Sequence, residues 1–510
     1  MAPTAVRPAG PHPSAPTPKT FFGHPRGLAT LFLTEMWERF SFYGMRALLP
    51  LYLIAGGPAA AAGSQGGGLA MTAPTALAIT SLYLAMVYLP CVVGGWLGDR
   101  VWGPRRTVTV AACVMITGHV LLALPGVPNF FVGLLCVALG SGLLKANIST
   151  MVGHLYDAHD DRRRDGGFTV FYMGINLGGM IAPLVIGTIG QQVSWHLGFA
   201  LAAAGMAVGL GIFLLGTRNL SPISSVVPKP LAAGELSRTL RRGLLVAGVL
   251  AVCYLTLTLS GHLTLAWGLV PLAVAGFSIP FVVLLRIRRD PELTAPERSR
   301  VGAYIRLFTA AVVFWMIYDQ GASTMAIFGA THTDNHLFGF EFPTSWFQSA
   351  NSFWVLLTAP LFAAIWPALA RRRKEPSVVV KFAIGLVLIG ASFLVFAVPM
   401  ATAGDGVRVS PLWLIGIYLI QCVGELCLSP VGLAMTSRTA PAKYASLLMG
   451  LWFLAVTAGD CAAALLVQAG AHLDTTPVVL AEAVLAIVVG AVVVSARGRI
   501  LGLMNAGRTT

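Results

Sequence analysis

The sequence predicts an all-α polytopic membrane protein with fourteen transmembrane helices, arranged as two six-helix bundles with a two-helix hairpin inserted between them. Of its 510 residues, 56% are hydrophobic and only 11% are charged, whereas soluble domains carry about 25% charged residues because their surfaces are solvated. Long apolar runs follow one another along the chain, and most reach the roughly 20 residues that cross a bilayer as a helix. Their order gives the count six, two and six.

The apolar segments divide the chain into three membrane-embedded parts and two tails. The N-terminal bundle spans residues 21–216, with segments at about 27–55, 75–98, 107–124, 129–152, 167–189 and 197–216. Residues 217–302 hold linkers and the hairpin, at about 243–260 and 263–285, which lacks charged residues in its apolar runs and is expected to face lipid. The C-terminal bundle spans residues 303–496, with segments at about 303–329, 346–370, 379–399, 411–436, 444–470 and 476–495.

The tails are residues 1–20 and 497–510. Residues 1–20 are rich in Pro and Ala and lack the apolar core of a signal peptide, so we expect a disordered cytoplasmic tail. We expect residues 497–510 to be a cytoplasmic tail as well.

The net charge of +14 would suggest a nucleic-acid partner in a soluble protein, but its distribution indicates membrane orientation instead. Lys and Arg are concentrated in the short loops on one side of the predicted spans. Among the loops on the opposite side, only the one holding Arg408 carries a Lys or Arg. This asymmetry follows the positive-inside rule and places both termini in the cytoplasm. We expect a multi-pass protein of the bacterial inner membrane, monomeric, in contact with membrane lipid and without a nucleic-acid partner. The basic loops carry Arg100, Arg105, Arg106, Arg162 to Arg164, Arg238, Arg241, Arg242, Arg286, Arg288, Arg289 and Arg371 to Lys374.

The sequence gives no indication of a cofactor, a metal site or an enzyme. The seven cysteines are odd in number, lie in apolar spans and form no CxxC pair, which argues against a disulfide framework or a zinc site. The motifs HExxH, GxSxG and GxxxxGK[ST] do not occur on the spans, so intramembrane hydrolysis and nucleotide-driven pumping are not predicted.

Two six-helix halves suggest the major-facilitator architecture, in which the substrate site lies near mid-membrane between the halves. Charged residues within the spans support such a site, because each costs about 2.5–3.5 kcal/mol at bilayer depth unless it is paired or hydrated. Structural ion pairs between helices are the alternative. On the first helix the charges and two aromatic residues share one arc at helical spacing. The charged residues within spans are Glu35, Glu38, Arg39, Arg46, Lys145, Asp319 and Glu425.

The charges are divided between the halves in a way that suits a zwitterion with separated ends. The N-terminal half supplies the cations Arg39, Arg46 and Lys145, and the C-terminal half supplies Asp319 and Glu425. A substrate carboxylate can lie among the cations, since arginine offers a bidentate fork and lysine a mobile point charge, while a substrate ammonium lies near Glu425. Side-chain pockets are predicted from aromatic residues, for which packing or interfacial anchoring is the alternative: Tyr43, Tyr83, Trp315 and Trp452.

Five segments carry a resemblance to the proton-dependent oligopeptide transporter family of the major facilitator superfamily. Residues 35–40 (EMWERF) and 171–178 (FYMGINLG) are similar to its two specific motifs, ExxERF and FYxxINxG. Residues 94–103 (GGWLGDRVWG) resemble a loop motif shared across the superfamily, and residues 142–147 (GLLKAN) and 424–430 (GELCLSP) resemble the family's fourth and tenth helices. The resemblance runs along nearly all of residues 21–496, and the hairpin resembles that of fourteen-helix bacterial members.

The resemblance implies a proton-coupled symporter that imports di- and tripeptides by alternating access. It implies that the peptide's carboxylate and backbone are approached by Arg39, Arg46, Lys145 and Asn176, and its amino end by Glu425, Asn351 and Ser429. It implies proton coupling through Glu35 and Glu38. The charges within the spans themselves also predict a proton-coupling role for Arg39, Asp319 and Glu425. It implies an outer gate of Arg46 with Asp319 and an inner gate of Lys145 with Glu425.

The chain departs from the family pattern at three positions. Phe42 stands where many members have Tyr, Asp319 where many have Glu, and Asp460 where Asn is common. The first two concern specificity and gate strength, and Asp460 adds either a proton carrier or a buried structural carboxylate. A related transporter of a small non-peptide anion or a drug remains the alternative function.

Overall fold

The protein is described here by a computed structural model that covers residues 20–57, 66–156, 161–228, 230–232, 234–403 and 407–506. Most of these residues are helical, and two short antiparallel ribbons lie outside the helices. Thr20–Phe21 (β1) pairs with His24–Pro25 (β2), and His336–Leu337 (β3) pairs with Phe340–Glu341 (β4). The predicted N-terminal tail falls outside the described residues except for Thr20, as do residues 507–510 of the predicted C-terminal tail.

The N-terminal half crosses the membrane six times, and two of its crossings are interrupted. Pro90 separates the two parts of the second crossing, and a π-helical turn at Pro183–Gly187 joins the parts of the fifth. Small residues bring the helices close together: a Cβ added at Gly118 would lie 2.8 Å from the carbonyl oxygen of Gly133. The helices are Arg26–Ile54 (α1), Ala73–Tyr88 (α2), Cys91–Leu97 (α3), Pro104–Ala123 (α4), Val127–Gly153 (α5), Asp161–Ala182 (α6), Thr188–Gln192 (α7) and Trp195–Gly216 (α8).

The predicted hairpin consists of Glu235–Leu259 (α9) and Leu265–Arg289 (α10). In the part of α9 that is apolar enough to cross the membrane, none of the described residues is buried inside the protein, so this part is free to face lipid. Helix α10 packs against the C-terminal half, and its Gly276 lies so close to Cys461 that an added Cβ would approach the sulfur to 2.5 Å. Helix α9 contacts the N-terminal half at its first residue, where Glu235 accepts from Arg100 at 2.9 Å. The hairpin is therefore attached to the C-terminal half through one helix.

The C-terminal half also crosses six times, and its first crossing is broken by a 3₁₀ turn at Asp319–Ala322. A further helix, α18, follows the last crossing within the predicted C-terminal tail and buries Ile500 and Met504. The helices are Ala295–Tyr318 (α11), Thr324–Thr331 (α12), Phe347–Arg371 (α13), Val378–Thr402 (α14), Leu412–Thr439 (α15), Ala445–Gln468 (α16), Thr476–Ser495 (α17) and Arg497–Met504 (α18).

Among the described residues, thirteen helical stretches are long and apolar enough to cross a membrane. Helix α1 has 29 residues, more than the roughly 20 that a crossing needs, and its charged side chains keep it out of that apolar set. With α1 the crossings number fourteen, as predicted. The end of the molecule that carries the basic loops is called the basic end below, and the other is called the opposite end; the side chain of Arg162 lies outside the described residues.

Candidate substrate site

The first part of the site is an ion triad within α1. The guanidinium of Arg39 hydrogen-bonds both carboxylate oxygens of Glu38, and its Nε lies 3.3 Å from Oε1 of Glu35. Ser141 of α5 donates to Glu38 at 2.9 Å. All three charged side chains are almost completely buried, where an unpaired charge would be strongly unfavourable. Two carboxylates against one guanidinium leave one negative charge, so one added proton makes the triad neutral.

A second ion pair connects the two halves. Nη2 of Arg46 on α1 donates to Oδ1 of Asp319 at 2.7 Å, and the side chains are only 14% and 8% exposed. Asp319 lies where α11 passes into the 3₁₀ turn, so the break in the helix presents its carboxylate to the other half. This pair joins the residues of the predicted outer gate.

Hydrogen bonds between the halves continue this closure at the opposite end. The side chain of Gln191 accepts from the backbone of Ser345 at 2.8 Å. The indole of Trp346 donates to the hydroxyl of Thr188, also at 2.8 Å. Both contacts join the α7 segment to the turn that precedes α13, so the halves are closed against each other at this end.

Lys145 and Glu425, the residues of the predicted inner gate, are not paired with each other in this structure. The ammonium of Lys145 lies 3.9 Å from the ring centroid of Tyr88, and no carboxylate of the described residues lies within 4.0 Å of it. Glu425 accepts a short hydrogen bond from the hydroxyl of Tyr318. Both charged side chains are only half-buried, and Tyr172 nearby along the site is 40% exposed. These side chains are therefore not sealed inside the protein.

Tyr318 links Glu425 to a third helix, and sequence reasoning missed it. Nδ2 of Asn351 donates to the Tyr318 hydroxyl at 2.8 Å, which completes a chain from α13 through α11 to α15. A signal was available, because Tyr318 directly precedes Asp319 at bilayer depth and a buried hydroxyl needs a partner.

A cavity between the halves adjoins this chain and the Arg46–Asp319 pair. The sequence predicts only three of its lining residues, because uncharged polar groups in apolar spans give a weak signal. Gln348 and Tyr418 both donate to the carbonyl oxygen of Gly321, each at 2.6 Å, and so fix the turn below Asp319. The lining consists of Tyr43, Arg46, Tyr318, Gly321, Gln348, Asn351, Ser352, Tyr418 and Gln421.

The predicted aromatic residues occupy different surroundings. Tyr43 lines the cavity, and Trp315 packs edge-on against Tyr318 at 5.1 Å between ring centroids. Tyr83 is buried beside Phe42.

Trp452 is buried within the C-terminal half, where its ring packs against Phe382 and closes over Gly432. These contacts are those of a core side chain.

Three other predicted residues lie at the margins of the site. Asn176 is buried and donates to the backbone carbonyl of Tyr172, and Ser429 is half-buried one turn beyond Glu425. Asp460 is buried on α16, and its Oδ2 atom has no hydrogen-bond partner among the described residues.

Sequence reasoning also missed Glu482, a buried carboxylate on α17. Its Oε1 accepts from Nε2 of Gln320 at 2.8 Å, and its Oε2 has no hydrogen-bond partner among the described residues. Gln320 also accepts from Thr324 at 3.1 Å, so this network holds the turn that carries Asp319. A charged residue within an apolar span was the signal that identified Glu425, and the same signal was available for Glu482.

Comparison with known proteins shows extended similarity. The profile of the POT family matches residues 105–481. A protein of Bacillus subtilis (strain 168), called uncharacterized transporter YclF, is 43% identical over 86% of either chain. A di-/tripeptide transporter of Lactococcus lactis subsp. cremoris is 40% identical over 86% of this chain and 88% of its own.

Solved structures are similar over nearly the whole chain. A crystal structure of peptide transporter POT in complex with sulfate has 41% identity and a TM-score of 0.89, and it covers 96% of this chain and 97% of its own. This likeness confirms the predicted fold.

Proposed function

The chain belongs to the POT family, as its motifs predict, and we propose that it imports di- and tripeptides together with protons by alternating access. It is a transporter and not an enzyme under this proposal. Names of similar proteins support the substrate class, since relatives at 40% and 37% identity are called di-/tripeptide transporter and peptide transporter. The distribution of charges in the site supports it independently.

The observation that carries the proposal is the unequal engagement of the three cations. Arg39 is held by Glu35 and Glu38, and Arg46 is held by Asp319. Among the described residues, no carboxylate pairs with Lys145. A peptide carboxylate therefore has one cation ready to receive it at no loss of an existing ion pair, and Lys145 is that cation.

The amino end of the peptide is assigned to Glu425. Its carboxylate is positioned by Tyr318 and Asn351 and is only half-buried, so an ammonium group can approach it. A peptide held at both ends satisfies Lys145 and Glu425 together, whereas a free anion satisfies Lys145 alone. The remaining predicted contacts, from Asn176, Ser429, Tyr43, Tyr83 and Trp315, complete the proposed site. Trp452 is left out of it, because its ring packs within the C-terminal half.

The proposed cycle alternates two closures. In this structure Arg46 and Asp319 hold the opposite end closed, and under this proposal the site opens toward the basic end. Closure of the basic end brings Lys145 and Glu425 together, directly or through a bound peptide, and the Arg46–Asp319 pair then separates. Protonation of the Glu35–Glu38–Arg39 triad neutralises its one excess negative charge. The halves of the loaded transporter can then change conformation without an uncompensated buried charge in the triad.

The membrane potential is an adequate driving force for this cycle. One elementary charge that moves through 100 mV gains about 2.3 kcal/mol. This free energy corresponds to accumulation of roughly fiftyfold.

We propose that the basic end is cytoplasmic, that the protein resides in the bacterial inner membrane, and that a monomer is the functional unit. The concentration of basic loops at one end supports this orientation through the positive-inside rule. A reporter fused to the C-terminus that is active only in the cytoplasm would test the orientation.

The test of transport is uptake of labelled dialanine into liposomes with an inside-negative, inwardly directed proton gradient. We expect accumulation above the outside concentration that collapses on addition of an uncoupler. Lys145→Ala should abolish accumulation, and Lys374→Ala, which removes an exposed lysine at the basic end, should not. Full uncoupler-sensitive uptake by Lys145→Ala would refute the assignment of the carboxylate site.

A transporter of small anions or drugs is the second candidate. The observation that favours it is the ammonium of Lys145, which no carboxylate of the described residues contacts. A similar peptide transporter was crystallised in complex with sulfate, which shows that an anion occupies that protein. Competition of labelled dialanine with unlabelled dialanine, free alanine and simple anions distinguishes the candidates. Peptide transport predicts strong competition by dialanine alone, and anion transport predicts competition by the anions.

A further inference from the structure

A second cationic site lies far from the substrate cavity, at the basic end. The last turn of α10, the first turns of α11 and helix α18 border an open cleft with about 430 Å³ of empty space, part of which is open solvent. Two of its walls come from elements beside the transport path, the hairpin and the C-terminal helix. The lining consists of Arg288, Arg298, Ser299, Gly302, Arg306 and Leu503.

Two of the guanidinium groups, those of Arg288 and Arg306, approach each other over a glycine. A Cβ added at Gly302 would lie 3.4 Å from Nη1 of Arg306 and 3.8 Å from Nε of Arg288. Arg306 donates to the carbonyl oxygen of Gly302 at 2.7 Å. On the same face of α11, Arg298 donates to the carbonyl oxygens of Asp290 and Pro291, each at 3.2 Å. These contacts orient the side chains and leave most of the five N–H donors of each guanidinium for a ligand.

The three charges are not neutralised by the protein. Within the described residues, no carboxylate lies within 4.0 Å of Arg288, Arg298 or Arg306. Nearby acidic groups are engaged elsewhere: Lys443 contacts Asp290 at 2.8 Å and Glu292 at 2.5 Å.

The remaining acidic group of this region, Glu297, forms the capping box of α11 with Thr294. Hydrogen bonds from Lys443 and Tyr444 hold the pKa of Asp290 below its ordinary value, so that carboxylate stays ionised and bound to them. Three like charges in one cleft repel one another, and an anion between them would relieve that repulsion.

We propose that this cleft binds a phosphate group, either in the headgroup of an anionic glycerophospholipid or as a free phosphate. Guanidinium forks match phosphate oxygens with paired hydrogen bonds, and basic pockets between transmembrane helices are known binding sites for anionic headgroups. The exposed apolar residues Ile279, Val282 and Leu285 of α10 lead away from the cleft into the membrane, where acyl chains would lie. A bound headgroup would hold the hairpin, α11 and α18 together.

The proposal is tested on the full-length protein by native mass spectrometry with added phosphatidylglycerol, phosphatidylcholine or inorganic phosphate. The test variant is Arg288→Gln/Arg298→Gln/Arg306→Gln. Its matched control is Arg238→Gln/Arg241→Gln/Arg242→Gln, which removes three exposed arginines from α9 at the same end. Loss of three basic contacts, at about fivefold each, predicts about a hundredfold weaker phosphatidylglycerol binding for the test variant and little change for the control.

The outcomes separate the sources of phosphate. Binding of phosphatidylglycerol that inorganic phosphate does not displace assigns a lipid headgroup, and binding of inorganic phosphate in the absence of phosphatidylglycerol assigns a free phosphate. Equal losses in test and control variants would show general surface attraction and overturn the proposal, as would no loss in either. If the triple variant fails to fold, Arg306→Gln alone serves, because this exposed side chain bonds only its own helix, and about a fivefold loss is expected.

Discussion

Asp319→Asn is expected to weaken closure of the opposite end. The substitution keeps a hydrogen-bond acceptor for Arg46 at 2.7 Å but removes the negative charge. Hydrogen bonds to charged groups contribute about 1.5–3 kcal/mol and neutral ones about 0.5–1.5 kcal/mol, so the closed state should lose roughly 1–1.5 kcal/mol. That loss corresponds to a roughly five- to thirteenfold larger ratio of open to closed molecules at this end.

The population is measured by distances between spin labels at the opposite end, on Gln192→Cys and Val407→Cys, both exposed, in a background without reactive cysteines. Asp319→Asn should increase the long-distance fraction, whereas Asp319→Glu keeps the charge and serves as the matched control. An unchanged distance distribution in Asp319→Asn would show that the ion pair contributes nothing to closure. Equal shifts in both variants would assign the effect to side-chain shape instead of charge.

Three further substitutions test individual contacts. Tyr318→Phe removes the donor to Glu425 and should raise KM for dialanine severalfold with the fold intact; an unchanged KM would contradict the positioning role. Glu482→Leu removes the acceptor for the glutamine of the 3₁₀ turn and should lower the melting temperature more than Glu482→Gln does; equal melting would contradict a hydrogen-bonded role. The pKa of Asp290 is lowered and that of Lys443 is raised, so their ion pair is present at neutral pH. It is lost when the pH falls below the pKa of Asp290 or rises above the pKa of Lys443. Lys443→Gln should therefore speed amide exchange of residues 290–294 at pH 7, and unchanged exchange would contradict the contact.

The sequence predicts the helices well because the membrane imposes a simple length requirement on apolar runs. It does not predict where the crossings break, because hydropathy is insensitive to helix geometry. The break at Asp319–Ala322 lies inside one continuous apolar segment, and the hydrogen bonds that stabilise it come from Gln348 and Tyr418 on other helices. Helix α18 was missed for the opposite reason, since its eight residues are too few and too polar to resemble a crossing.

The charged part of the candidate site was accessible from sequence, because each intramembrane charge is conspicuous against an apolar background. Which of these charged residues contact each other was harder to predict from the sequence. Nothing in the spacing of Lys145 and Glu425 indicates whether they contact each other in a given conformation, since that depends on the relative position of the halves. Trp452 illustrates a related limit, because an aromatic residue at helical spacing has the same signature in a core as in a pocket.

The two ion-pair positions explain how substrate binding and closure are linked in the proposed cycle. Arg39 and Arg46 already have carboxylate partners, so occupying either with a peptide would first require an existing pair to separate. Lys145 and Glu425 lie on opposite halves and do not contact each other in this structure. Closing the basic end around an empty site offers each of them only the other as an oppositely charged partner. A peptide supplies both missing charges at once. Closure of the basic end is therefore favoured around a molecule whose carboxylate reaches Lys145 while its ammonium reaches Glu425. This requirement selects short peptides over ligands with a single charge.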